Sequence, residues 1–423
     1  MSRKLIIMAV IVIALFLPAG YVITVYMRDS STGNEIVPQN TPEAAGYSRE
    51  PEPTPKEEDP ISKKIDEMTL YEKIGQMVLV GLDGYENGDA SRQMIEKYHV
   101  GGFILYSQNI KDSNQLLDLI NSLKASNLAN KIPLFLSVDE EGGRITRMPD
   151  ELVKIPAARK IGDINKEDFS FNIGSLIGKE LKMFGFNMDF APVLDINSNP
   201  QNPVIGDRSF GETADIVSRL GIQTMKGIQS QSVISVVKHF PGHGDTSVDS
   251  HKGLPVVKHG LKRLESFELI PFSDAIKDGA DAVMVAHILL PEIDPEYPSS
   301  MSKVIINDVL RKNLGYGGVV LTDDMTMGAI AENYDIGNAA VKSINAGSDI
   351  ILVCHDSEKE LAVLNNIREA ADAGIIPEEK IDESVYRILK LKYKYNLDDK
   401  ASEPLNVKAI NQEISETLKE HIK

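Results

Sequence analysis

From residue 61 onward, short apolar runs alternate with longer amphipathic stretches. The apolar runs fall at 76–82, 102–106, 134–139, 187–194, 233–239, 282–288, 318–323 and 350–354. Each is too short for a typical helix and mostly apolar, the pattern of a strand buried on both faces of a parallel sheet. Between them, 114–128, 175–184, 216–230, 261–277 and 358–373 read as helices. Eight strands, each followed by helical sequence, predict an α/β chain folded as a (β/α)8 TIM-type barrel, a single catalytic domain over 61–395. A doubly wound sheet is the alternative reading of the same alternation. No internal repeat is visible. Residues 396–423 read as a short, charged, helix-like tail, with no room for a second full domain.

The chain before residue 61 is of two other kinds. Arg3 and Lys4 precede an apolar run of 23 residues, 5–27. About 20 apolar residues span a bilayer, and a positive flank on the N-terminal side keeps that end in the cytoplasm. Residues 1–28 are therefore expected to be a signal anchor or transmembrane helix, with a cleaved signal peptide as the competing reading. The catalytic part would then be membrane-anchored and extracytoplasmic, or secreted if the segment is removed. Residues 29–60 hold six prolines and eight acids against two bases, the composition of an extended linker.

Composition narrows the function. A net charge of -17 argues against a nucleic-acid partner, which basic patches would have to hold. The single cysteine, Cys354, excludes an intramolecular disulfide. Trp is absent.

In a barrel the chemistry sits at the C-terminal ends of the strands. Polar groups recur there: Asp139 after the third predicted strand, Asp195 after the fourth, Lys238 and His239 ending the fifth. His287 lies at the end of the sixth, Asp323 and Asp324 at the seventh, and His355 after the eighth. Strand ends are often polar for solvation alone, yet eight such residues landing on one rim point to a site.

The segment "VVKHFPGHGDTSVDSHKGLP", 236–255, carries three of the eight histidines. In an extended segment, Asp249 and His251 would point the same way, so that the carboxylate fixes the imidazole tautomer and raises its basicity. An imidazole, with an ordinary pKa of about 6.5, serves as acid and then base near neutrality. Gly242, Gly244 and Gly253 would let the loop swing. A metal-dependent hydrolase is the alternative, with His239, His243, Asp245, Asp249 and His251 as ligands for Zn or Mn. Pro241, Gly242 and Gly244 argue against the helix that would align His239 with His243.

In "VVLTDDMTMGAI", 319–330, a strand ends in two carboxylates. Alternation would turn Asp323 toward the axis as a nucleophile and leave Asp324 to cap the next helix. "SVDEEGGRITRM", 137–148, supplies Asp139 and Arg147 to the same rim. "NPVIGDRSFG", 202–211, supplies Arg208, as a structural cation or a substrate clamp. Lys238 at a strand end requires a ligand or carboxylate partner if buried.

Together with "APVLDINSNPQNPVIGDRSFG" and "MVAHI", these segments resemble glycoside hydrolase family 3, in its NagZ-type β-N-acetylglucosaminidase branch, over roughly residues 62–395. The resemblance implies a retaining exo-β-N-acetylglucosaminidase (a glycosidase of the β-N-acetylhexosaminidase type) that removes terminal β-linked N-acetylglucosamine. It implies Asp323 as nucleophile, His251 as acid/base and Asp249 as its partner. It implies Asp139, Arg147, Arg208, Lys238 and His239 as sugar-binding residues, with no metal or other cofactor. The family's β-glucosidases use a Glu as acid/base and usually carry Trp after the nucleophile; here Asp324 follows Asp323 and the Asp-Ser-His element is present. An outward-facing enzyme would trim muropeptides or wall glycan fragments. Because a neutral imidazole does not repel an incoming anion, a β-N-acetylglucosaminide phosphorylase is a variant of the same reading.

Overall fold

The structure, a computed structural model, describes residues 59–422, which lie in one compact unit spanning Glu57–Lys423. Its eight strands are β1 (Val78–Val80), β2 (Gly102–Leu105), β3 (Phe135–Val138), β4 (Met188–Asp189), β5 (Ile234–Phe240), β6 (Ala282–Val285), β7 (Val319–Asp324) and β8 (Ile350–Val353). All pair in parallel with their sequence neighbours, and β8 pairs back with β1 to close a barrel. The predicted barrel is the observed one, and the doubly wound alternative falls away because the sheet has no edge. All strand residues but Asp323 are buried, as β-strands with helices outside and packed side chains inside require.

Most strands are trimmed relative to the apolar runs, and β4 most of all. Pro192 has no N–H to donate, so the ladder stops after Asp189. The chain still follows its neighbour: Leu194 N–H donates to the Lys238 carbonyl at 2.6 Å, which sets Asp195 beside the end of β5. The predicted helix at 261–277 is two helices, Leu261–Ser266 and Ile270–Lys277. Pro271 sits in the first turn of the second, where its missing N–H costs nothing.

The first helix, Pro60–Asp66, begins one residue inside the stretch expected to be linker. Asp59 caps it by accepting from Ile61 N–H and the Ser62 hydroxyl. The expected tail is a helix, Val407–His421, that docks on the helix Glu167–Phe184. Ile410 and Ile414 are buried there and the Phe169 and His421 rings stack at 4.7 Å. At the opposite end from the rim, Lys392 closes the barrel. Its ammonium donates to Gln76 Oε1 (2.8 Å) and to the carbonyls of Gly101 (3.0 Å) and Pro133 (2.6 Å). Among the described residues no helix is long and apolar enough to cross a membrane. The apolar run at 5–27, expected to be the anchor, and nearly all of the linker lie outside the described residues.

Candidate active site

Three consecutive acids leave β3 and meet three different fates. Asp139 and Glu141 converge on Lys238, whose Nζ lies 2.6 Å from Asp139 Oδ1 and 2.8 Å from Glu141 Oε1. Arg208 donates to the same Glu141 as a fork, Nε to Oε2 at 2.8 Å and Nη2 to Oε1 at 2.7 Å. Burial alone would push the Lys238 ammonium down, but the two carboxylates hold it above its ordinary value. Burial likewise raises Glu141, and Arg208 and Lys238 outweigh it, holding the carboxyl well below the usual range. The partner that Lys238 required is thus present twice. Glu140 instead turns away from the pocket, where it accepts from Thr146 Oγ1 and Arg147 N–H, and burial pushes its carboxyl up to about 7.

His239 at the end of β5 is oriented by Asp195, which has no exposed surface. Nδ1 lies 2.6 Å from Asp195 Oδ2, so it carries the proton and Nε2 is left to accept from Arg208 Nη2 at 3.4 Å. Asp323, at the end of β7, lines the same pocket. Burial raises its carboxyl; His239, His287 and the Asp324 N–H, which donates at 2.9 Å, more than offset this and keep it below the ordinary value. His287 is fully buried. It donates from Nε2 to the Asp324 carbonyl at 3.0 Å and stands 2.7 Å from the Ser300 hydroxyl.

The expected helix cap at Asp324 is not made. The following helix starts at Gly328, too late for it. Asp324 instead accepts from Thr326 N–H, the Thr326 hydroxyl and Cys354 N–H, tying the end of β7 to that of β8.

His251 stands at the pocket mouth, its side chain 68% exposed, with Nδ1 3.0 Å from Asp249 Oδ1. The pairing holds but its expected cause does not. Residues 249–253 form a turn, in which Lys252 and Gly253 N–H both donate to the Asp249 carbonyl. The carboxylate meets the ring because Asp249 Oδ1 also accepts the His251 N–H at 3.0 Å, not because an extended chain alternates. The bonded Nδ1 must carry the proton, which frees Nε2 for transfer.

The metal cluster expected as an alternative does not assemble. His239 is committed to Asp195, Asp249 to His251, and Asp245 to His259 at 2.7 Å. His243 is held between Thr246 Oγ1 (2.7 Å) and Ser250 Oγ (3.2 Å). Among the described residues no three His, Cys, Asp or Glu side chains are arranged to hold a metal ion.

The pocket has a volume of about 320 Å³. Seven of the eight residues singled out from sequence line it: Asp139, Arg147, Arg208, Lys238, His239, His251 and Asp323; Asp249 stands behind His251. Arg147 Nε is buried without a hydrogen-bond partner among the described residues, while the guanidinium lies 5.8 Å from the Tyr106 ring centroid. Glu141, Tyr106 and His355 also line the pocket and were not singled out as site residues, although His355 was noted on the rim. Tyr106 and His355 face each other at 4.9 Å. The rule that a buried Lys and Arg need more than one carboxylate between them signals a second acid beside Asp139, without choosing between Glu140 and Glu141.

A closed parallel barrel with a polar, charge-balanced pocket at its C-terminal rim is the architecture of a barrel enzyme for a small polar ligand. The chain belongs to glycosyl hydrolase family 3, whose N terminal domain matches residues 69–391. It is 36% identical over 330 residues to Beta-hexosaminidase A of Pseudoalteromonas piscicida, covering 71% of this chain and 54% of that protein; it thus spans about half of that relative. It is 32% identical over 324 residues to the Beta-hexosaminidase of Nitrosomonas eutropha, covering 74% of this chain and 91% of that one. A solved family 3 β-N-acetylglucosaminidase from Paenibacillus sp. superposes with a TM-score of 0.80 at 40% identity, over 84% of this chain and 69% of that one.

Proposed function

We propose that the protein is a retaining exo-β-N-acetylglucosaminidase. One observation carries this reading: a carboxylate held ionised at the end of β7 and an imidazole with its own carboxylate partner share one pocket. In the proposed mechanism, Asp139, Arg147, Arg208, Lys238 and His239 hold the terminal sugar. Asp323 attacks the anomeric carbon while His251 Nε2–H protonates the leaving oxygen. Neutral His251 then takes a proton from water, which opens the glycosyl ester with net retention. The relatives named beta-hexosaminidase and the solved β-N-acetylglucosaminidase support the choice of sugar. With residues 5–27 as an anchor, the enzyme would face outward and act on muropeptides or wall glycan fragments.

Asp323→Ala should abolish release of nitrophenol from its β-N-acetylglucosaminide; near-normal turnover removes Asp323 from the nucleophile role. Supplying inorganic phosphate separates hydrolase from phosphorylase: formation of a sugar 1-phosphate faster than free sugar assigns the second activity.

A further inference from the structure

Ser250 lies between Asp249 and His251, and it behaves unlike either. His251 is exposed, whereas Ser250 is 2% exposed. Two bonds fasten it. Its carbonyl accepts Ala329 N–H at 3.0 Å, from the segment that follows β7. Its hydroxyl lies 3.2 Å from His243 Nε2. Gly328 makes the first contact possible, since a Cβ there would come within 2.8 Å of the His251 carbonyl.

The direction of the second bond follows from its neighbours. The Thr246 hydroxyl donates to the His243 carbonyl at 3.0 Å, so it accepts from His243 Nδ1–H at 2.7 Å. Burial pushes His243 down to about 4, with His239 adding to the effect, so the ring is neutral at ordinary pH. Nε2 is then an acceptor, and the Ser250 hydroxyl donates to it. His243 is 1% exposed, and its N–H donates to Asp195 Oδ1 at 2.6 Å. Asp195 is the carboxylate whose other oxygen orients His239. A continuous run of hydrogen bonds therefore joins the pocket-lining His239, through Asp195 and His243, to the middle of the acid/base turn.

We propose that Ser250 is the positioning residue of the acid/base pair: its bond to His243 fixes where Asp249 and His251 stand over the pocket. The proposal rests on the acid/base role of His251 given above. The Asp249–His251 turn is self-contained, so losing the hydroxyl bond leaves the pair intact, held by the Ala329 N–H alone, and lets it shift as a unit about that point. The defect is then one of proton delivery to the leaving oxygen, with sugar binding untouched.

The test compares leaving groups. Values of kcat/KM for a dinitrophenyl β-N-acetylglucosaminide, which leaves without a proton, and for the methyl glycoside, which needs one, both report the first chemical step. Ser250→Ala should lower the methyl glycoside value about 10-fold or more and leave the dinitrophenyl value within about twofold. Ser250→Thr, which keeps the hydroxyl, should restore the wild-type ratio. In a His251→Ala background, Ser250→Ala should cause no further loss. Equal losses on both substrates for Ser250→Ala alone, or full additivity with His251→Ala, overturn the proposal. Equal losses on both substrates for His251→Ala overturn the acid/base role and the positioning role with it, so the variant that shows the flat profile tells the two failures apart.

Discussion

Glu141→Gln removes one charge from the centre of the pocket-lining cluster while nearly preserving shape. The carboxylate accepts three bonds from charged donors, two from Arg208 and one from Lys238, all between 2.7 and 2.8 Å. An amide offers a single oxygen and turns an N–H toward one of the two cations. Lys238 keeps Asp139, but Arg208 falls back on the Val204 carbonyl at 3.4 Å and the edge of His239. Removing one partner of a buried pair costs about 3–5 kcal/mol, and Lys238 is left half-compensated, so the expected loss is about 3 kcal/mol. Urea unfolding at pH 7 should show it as a lower midpoint with an unchanged slope. The pH dependence has a fixed sign. Glu141 is held below its ordinary value of 4.5, so its contribution is complete above that pH and is lost as pH falls toward the folded value. The gap between wild type and variant should therefore be constant from pH 7 to 5 and narrow only in stronger acid. Equal midpoints at pH 7, or a gap already closed at pH 5, would refute the account.

Two further outcomes follow from buried groups away from the pocket. Glu360 is 6% exposed and accepts Gly81 N–H at 3.1 Å; burial, with Asp83 and Asp356 nearby, pushes its carboxyl up from 4.5 to about 8. Its neutral form favours folding, so stability falls from pH 4.5 to 8, and Glu360→Gln should gain a few kcal/mol over wild type above pH 8 in thermal or urea unfolding. A variant that keeps the wild-type pH slope contradicts this. Lys392→Met strands the Pro133 carbonyl and Gln76 Oε1 and should cost about 3 kcal/mol, with kcat/KM at the distant rim unchanged at temperatures where the variant is folded.

The barrel was legible because eight buried parallel strands leave eight apolar runs, and closure follows from their number. Boundaries were less so: nothing in 187–194 says that the chain leaves the ladder after two residues, although Pro192 hints at it. The helix Glu378–Lys394 was passed over because its polar face dominates the composition, while Ile381, Val385 and Ile388 form the buried stripe. Site residues at strand ends could be named because the fold assigns that rim to chemistry. Glu141 could not, since in Asp139-Glu140-Glu141 only the folded turn decides which carboxylate faces Lys238 and which is hidden behind Arg147. The pairing of Asp249 with His251 was anticipated for the wrong reason, because a turn and a strand can bring the same two side chains together.

Among the described residues, Lys392 and the packed interior leave the barrel with one doorway. If a terminal sugar fills the pocket, the freed monosaccharide must back out along the path by which the polymer entered. The remaining glycan cannot thread forward while that sugar is inside. Such a molecule lets go after every bond it cuts, so it trims many chain ends in parallel instead of following one strand to completion.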